Sequence, residues 1–262
     1  MDAENIKIGR ENYEIFNDEQ FAAPESSLQK KKNEKLPGNL NFSGKLSKFS
    51  KFLARTFTKK YKFDVKTPET PTVYLCRHLD MHGVYTVNKS AKFDMANYAY
   101  HVFFNRKECF NHFYRYTFSV RFKRCKMFAV LPSFICSVFL PPLIKSSGAI
   151  PVYRKNAEAL KTIKLSLNSL LSGKNILIFA DKDYSDKTPK ECGEIYEGFF
   201  ELDRLYYKRT GKRVNFVPLY IDETARAVRE LPPVTFTGEK DYVAEREEIK
   251  KKAVKGIFTG KA

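Results

Sequence analysis

The sequence lacks several features that mark common classes of protein. It contains no Gly-x-Ser-x-Gly motif, which argues against a hydrolase built on a nucleophile elbow. It has no basic start followed by an apolar core, so we expect no signal peptide. Its five cysteines form no CxxC pair, so we expect reduced thiols in a cytosolic compartment and neither a disulfide framework nor a metal site. The cysteines are Cys76, Cys109, Cys125, Cys136 and Cys192.

Acidic residues are scarce relative to basic ones. Lys and Arg number 47 against 30 Asp and Glu, which gives a formal net charge of +17. This excess indicates an anionic partner, such as a phospholipid surface, a nucleic acid or a phosphorylated substrate. Tryptophan is absent, whereas 23 Phe and 15 Tyr are present. No recognised nucleic-acid motif accompanies the charge, so a nucleic acid is the less favoured partner.

The pattern of apolar segments predicts an α/β domain after a polar arm. Residues 1–40 contain eight acidic and six basic residues, and we expect a flexible arm there. Residues 41–262 form the predicted domain, in which strands alternate with helices. Such alternation implies βαβ units and a mixed, largely parallel sheet flanked by helices. The predicted strands are 73–76, 98–104, 148–153, 175–179 and 214–221, with an edge strand at 234–236. The predicted helices are 84–91, 106–121, 156–171, 194–208 and 241–257.

His78 is the first candidate functional residue. It follows the buried strand 73–76 and precedes a predicted helix. Backbone N–H groups at the start of a helix disfavour an imidazolium, so a histidine there stays neutral and can accept a proton. The alternative is a histidine that only caps or packs at the end of the strand.

Four short segments resemble the motifs of the glycerolipid acyltransferase family, which includes the lysophosphatidic acid acyltransferases. The first is His78 with the residue five positions later, and the second is Ser-Gly-Ala-Ile-Pro-Val-Tyr-Arg at 147–154. The third is Phe-Ala-Asp-Lys-Asp-Tyr at 179–184, and the fourth contains Val217 and Pro218. The resemblance covers residues 72–221. It implies the fold and the chemistry of that family.

The resemblance assigns roles to individual residues. His78 would be the general base, and Arg154 would bind a phosphate at the end of the block that contains Gly148. Asp181 occupies the position of the family's Glu, followed by Lys182. Two positions depart from the family.

The first departure is at Gly83, which stands where the family has an Asp that orients the histidine. Asp80 is a nearby carboxylate, and Asp181 or Asp183 could reach His78 from a neighbouring strand end. The second is Tyr184, which replaces a phosphate-binding Arg. We therefore take His78, Asp181 and Asp80 as catalytic candidates. The candidates for substrate binding are Arg154, Lys182, Gly148 and Tyr184.

Two segments are candidates for contact with a membrane. Residues 44–61 predict an amphipathic helix whose Phe-rich face would lie on an anionic bilayer or pack on the sheet. Residues 127–144 carry no charge and are flanked by lysines, as a transmembrane helix would be. This segment also contains Pro132, Pro141 and Pro142. Because proline breaks a straight span, we predict a segment that lines an acyl tunnel or dips into one leaflet. The aromatic segment 106–121 predicts a half-buried helix, with RNA stacking as the alternative.

Together, the resemblance and the charge predict a membrane-surface acyltransferase. It would move a fatty acyl group from a CoA or acyl-carrier-protein thioester to a lysophospholipid-like acceptor, with no cofactor and no metal. The expected location is the cytoplasmic side of the cell membrane, with the protein bound peripherally to the anionic inner face. The alternatives are a non-catalytic lipid-binding protein of the same fold and a basic nucleic-acid-binding protein.

Overall fold

A computed structural model of the chain describes residues 60–153, 156–183 and 193–261. The predicted arm 1–40 lies outside the described residues, as does the amphipathic segment 44–61 except for its last two positions. Two site candidates, Arg154 and Tyr184, also lie outside them.

In the described residues, seven strands form one sheet. They are β1 Lys62–Asp64, β2 Thr72–Cys76, β3 Met95–Tyr100, β4 Ile150–Val152, β5 Asn175–Phe179, β6 Asn215–Asp222 and β7 Ala227–Glu230. Their order across the sheet is β1-β7-β6-β2-β5-β3-β4. The five strands from β6 to β4 run parallel to one another, whereas β7 runs antiparallel to β6. The predicted α/β class with a mixed, largely parallel sheet is therefore confirmed.

Helices cover both faces of this sheet, which explains why its central strands are apolar throughout. The α-helices are α1 His82–Ser90, α2 Arg106–His112, α3 Lys126–Ser146, α4 Asn156–Leu171, α5 Glu201–Thr210 and α6 Tyr242–Thr259. Shorter helical segments are the 3-10 turns His101–Phe104 and Gly198–Phe200 and a π-helix, Phe113–Arg121. Along β2, Val73 and Leu75 face the cluster that contains α4, α5 and α6. Tyr74 and Cys76 face the opposite cluster, which contains Val87 of α1.

Several predicted elements have different boundaries in the structure. The predicted strand 98–104 is β3, which begins earlier and gives way to a 3-10 turn. The predicted helix 106–121 is divided into α2 and the π-helix, and the predicted helix 194–208 begins later, as α5. The predicted edge strand 234–236 is reduced to a bridge at Val234. The short edge strands β1 and β7 were not predicted.

The break predicted in segment 127–144 is wrong, because α3 is one helix of 21 residues. Each proline removes one N–H donor from the helix. The rest of the hydrogen-bond ladder and the packing of α3 against α2 and the π-helix hold the segment helical. Among the described residues, α3 is the one helix long and apolar enough to cross a membrane, judged by length and composition, and 22% of its apolar window is buried.

Candidate active site

His78 and Asp181 meet at the carboxyl edge of the sheet. β2 and β5 are parallel neighbours whose last residues, Cys76 and Phe179, are paired. Each functional residue lies two positions beyond its strand, so the two side chains arrive at the same place. His78 Nδ1 lies 2.7 Å from Asp181 Oδ1, and the backbone N–H of His78 donates to the same carboxylate at 2.9 Å. Of the two carboxylates that the sequence left open as partners of His78, Asp181 and Asp183, the structure shows Asp181 in contact with it.

The burial of this pair differs between its two members. The Asp181 side chain is 2% exposed, whereas that of His78 is 25% exposed. The ring of His78 also lies 5.2 Å from that of Phe179, measured between centroids. A carboxylate held at Nδ1 favours the tautomer that carries its proton there, which leaves the lone pair on Nε2. The histidine is thus oriented from the buried side and reaches solvent with the rest of its ring.

The turn after His78 has an unusual backbone. Leu79, Asp80 and Met81 have φ angles of 48°, 52° and 70°, in the left-handed region that non-glycine residues rarely adopt. Each such residue costs about 1–3 kcal/mol, and strain of this kind persists where the surrounding structure fixes it. Here Gly83 N donates to the His78 carbonyl at 2.8 Å. The main chain of His78 is therefore held by Asp181 on one side and by Gly83 on the other.

Gly83 itself has no space for a side chain. A Cβ built on it would lie 2.1 Å from the Arg77 carbonyl oxygen and 3.1 Å from Ile221 Cδ1. The aspartate that the resembled family has at this position would not fit here. Asp181 instead supplies the carboxylate from the neighbouring strand.

The third catalytic candidate, Asp80, forms an ion pair with the guanidinium of Arg121. Arg121 is the last residue of the π-helix, so the pair ties the strained turn to the helices that lead into α3. The sequence contained no signal for this contact, because the partners are 41 residues apart and belong to different elements. Asp80 therefore lies two residues from His78 with its carboxylate paired to Arg121.

His82, four residues after His78, takes part in a different set of contacts. Its Nε2 lies 3.2 Å from the hydroxyl of Tyr61 and 3.9 Å from Glu223 Oε1. The rings of Tyr61 and His82 pack edge to face. His82 therefore offers a second, similarly exposed histidine against which the role of His78 can be compared.

Two of the predicted substrate-binding residues have structural partners. Lys182 pairs with Glu194, with 3.0 Å between Nζ and Oε2. Gly148, at φ 69°, ends α3: its N–H donates to the Lys145 carbonyl and that of Ala149 to the Ile144 carbonyl. This is the Schellman arrangement, which favours glycine. Gly148 thus has a structural reason to be glycine, independent of any substrate.

Arg154 and Tyr184 lie outside the described residues. The strand that precedes Arg154, β4, runs parallel to β3 and therefore points toward the same edge of the sheet as β2 and β5. The convergence of Arg154 with His78 and Asp181 stays a prediction.

Two of the buried cysteines, Cys76 and Cys109, are poor nucleophiles. Burial raises the pKa of the Cys76 thiol well above its ordinary value, and Cys76 is fully buried. Burial, together with the neighbouring Cys136, raises the pKa of Cys109 to about 11. Because the thiolate is the reactive form, neither residue is suited to covalent catalysis. Within the described residues, no group of three or more His, Cys, Asp and Glu side chains could hold a metal ion.

Comparisons of the chain with protein-family models, with curated proteins and with solved structures give no match. The function therefore has to be inferred from the geometry. A histidine that is oriented by a buried carboxylate at the carboxyl edge of an open α/β sheet is an arrangement suited to general acid–base chemistry.

Proposed function

We propose that the protein is a membrane-surface acyltransferase. It would transfer a fatty acyl group from a CoA or acyl-carrier-protein thioester to the hydroxyl of a lysophospholipid-like acceptor. The observation that carries this proposal is the contact of 2.7 Å between His78 Nδ1 and the buried carboxylate of Asp181. The resemblance of four segments to glycerolipid acyltransferases supports the choice of reaction.

The reaction needs one group to move a proton in both directions. Nε2 of His78 takes the proton of the acceptor hydroxyl while its oxygen forms a bond to the thioester carbonyl carbon. Asp181 stabilises the imidazolium that results. The tetrahedral intermediate then breaks its C–S bond, and the leaving thiolate takes the proton from Nε2. The products are an ester and a free thiol, and His78 returns to its starting state.

The location of α3 supports the membrane part of the proposal. This helix exposes large apolar side chains, and Arg121, five residues before it, pairs with Asp80 in the strained turn after His78. In this proposal, a lipid acceptor reaches His78 from the membrane that α3 contacts. The expected location is the cytoplasmic face of an anionic membrane, where the excess of basic residues favours binding.

Transfer of a labelled acyl group into a total-lipid acceptor pool tests this proposal. His78→Ala is expected to lower turnover by about 10²- to 10⁴-fold, because a general base acts in the transition state. Asp181→Asn keeps the shape of the side chain but loses the charge that orients the imidazole, so it is expected to approach the same defect. Both donors, CoA and acyl-carrier-protein thioesters, are supplied in parallel.

His82→Ala is the matched control, since His82 begins α1 directly after the same turn and contacts Tyr61 rather than Asp181. It is expected to retain most of the transfer activity. Wild-type transfer that persists in His78→Ala would remove His78 from the mechanism. Absence of transfer from either donor, with intact binding to vesicles, would overturn the enzyme proposal in favour of a lipid-binding protein.

A further inference from the structure

Helix α3 has small residues on its buried side and large apolar residues on its exposed side, the reverse of a helix in a water-soluble domain. The buried side consists of Ala129, Ser133, Ser137 and Pro141. On the other side, Phe128 is 65% exposed, Leu131 67% and Phe139 63%. A contiguous apolar surface of this kind marks a site of interaction.

The charge around α3 indicates the partner. Residues 109–157 contain eight basic residues and no acidic one. Lys123, Arg124 and Lys126 are exposed near the start of α3, and Lys145 is exposed near its end. A second copy of the chain on this surface would bring like charges together, which is unfavourable. The anionic lipids of a bilayer would instead be attracted to it.

The packing of α3 determines how the helix can lie in lipid. α2 packs along it, with the guanidinium of Arg106 5.3 Å from the ring centroid of Phe134 and Cys109 Sγ 3.9 Å from the Cys136 carbonyl oxygen. The chain then enters β4, part of the sheet, four residues after α3 ends. A helix that crossed the bilayer would carry the charged residues of α2 into hydrocarbon, which is costly.

We infer that α3 inserts parallel to the membrane plane into one anionic leaflet, with the side that carries Phe128 and Phe139 in the lipid. This inference rests on the proposed function, since it names the surface through which the enzyme meets its lipid substrate. It also orients the site. Arg121, which lies five residues before α3, pairs with Asp80, so the π-helix that packs against α3 also contacts the turn after His78.

The absence of tryptophan from the chain allows a direct test of this orientation. Phe128→Trp and Phe139→Trp each introduce a single fluorophore into the full chain. The two positions are eleven residues apart, which is about three helical turns or about 16 Å, and they share one side of the helix. Vesicles of phosphatidylglycerol and phosphatidylcholine with bromine at defined depths along the acyl chains report where each tryptophan lies.

If α3 inserts parallel to the membrane, the fluorescence emission of both tryptophans should shift to the blue when vesicles are added. Both should be quenched best by bromines at the same shallow depth in the acyl chains. A helix that crosses the bilayer would place position 139 much deeper than position 128, and would overturn the inference. A blue shift already present without vesicles would do the same, because the surface would then be covered by the chain itself or by a second copy. Tyr207→Trp, on exposed Tyr207 of α5, is the control and is expected to show no shift.

A matched pair of leucines provides a second test. Leu131 in α3 and Leu171 in α4 are both exposed, at 67% and 45%. Leu131→Asp is expected to weaken binding to anionic vesicles about tenfold or more, because a carboxylate is costly in lipid, whereas Leu171→Asp is expected to leave it unchanged. Equal effects of the two substitutions would overturn the inference. Both tests measure lipid contact and not transfer, so normal insertion without activity would overturn the proposed function alone.

Discussion

At position 83 the chain passes so close to its own backbone that only glycine fits. The Cβ of any other residue would lie 2.1 Å from the Arg77 carbonyl oxygen, and backbone cannot move aside as a flexible side chain can. The same close approach lets Gly83 N donate to the His78 carbonyl. The orientation of the histidine therefore depends on the absence of a side chain five residues away.

Gly83→Ala is expected to destabilise the protein by about 1–3 kcal/mol or more, because overpacking at this site displaces the turn that carries His78. Denaturant titration of the wild type and the variant measures the loss. Gly198→Ala is the control, since no atom lies within 4 Å of the Cβ that it would add. Equal midpoints for the two variants would contradict the close approach at Gly83.

Among the elements, the central strands and the edge strands differed in how well the sequence predicted them. β2 and β5 are covered by helices on both faces, so they appear as unbroken apolar runs. β1 and β7 have three and four residues, half or more of them charged, and leave no such pattern. The meeting of His78 with Asp181 was predictable because both follow strand ends. The pairing of Asp80 with Arg121 was not, because it depends on how the π-helix packs.

The loop that leads into α6 depends on one carboxylate. Glu245 is buried and accepts hydrogen bonds from Thr237 N, from Thr237 Oγ1 at 2.8 Å and from Gly238 N at 3.1 Å. Burial alone would raise the pKa of Glu245, but these hydrogen bonds outweigh it and lower the pKa below its ordinary value. The ionised side chain therefore stabilises the folded state above the ordinary pKa of glutamate, and this contribution is lost as the pH falls through the lowered value.

Glu245→Gln is expected to lower the free energy of unfolding at neutral pH by about 1 kcal/mol, because it weakens charge-assisted hydrogen bonds. The difference from the wild type should shrink as the pH falls below the ordinary pKa of glutamate, about 4.3, and through the lowered pKa of Glu245, because the wild-type side chain then becomes neutral as well. Denaturation midpoints across this range measure it. Glu248→Gln, on the exposed side of the same helix, should change the midpoints much less. A difference that stayed constant with pH would contradict the role of the ionised carboxylate.

For the molecule as a whole, a net charge of +17 and an exposed apolar helix act on the same membrane in different ways. The charge attracts the protein from a distance, and salt screens this attraction. Inserted apolar side chains hold the protein by direct contact with lipid, which salt does not screen. We expect sedimentation with anionic vesicles to weaken as salt rises from about 0.05 to 0.5 M without complete release. Neutral vesicles should bind less protein at low salt.

Complete release at high salt, or equal binding to both kinds of vesicle, would contradict this two-part attraction. Binding to RNA in the same salt series is the comparison. A nucleic-acid-binding protein would bind RNA tightly at low salt and lose it steeply as salt rises.

The 103 residues that separate His78 from Asp181 also set an order of events during translation. A ribosome adds about 5–20 residues per second, so His78 is synthesised about 5–20 s before Asp181. During that interval β2 has neither of its partner strands, since β5 and β6 both follow it in the chain. α3 is synthesised before either. In the orientation that we infer, the nascent chain acquires its lipid-binding surface before the pair that performs the chemistry exists.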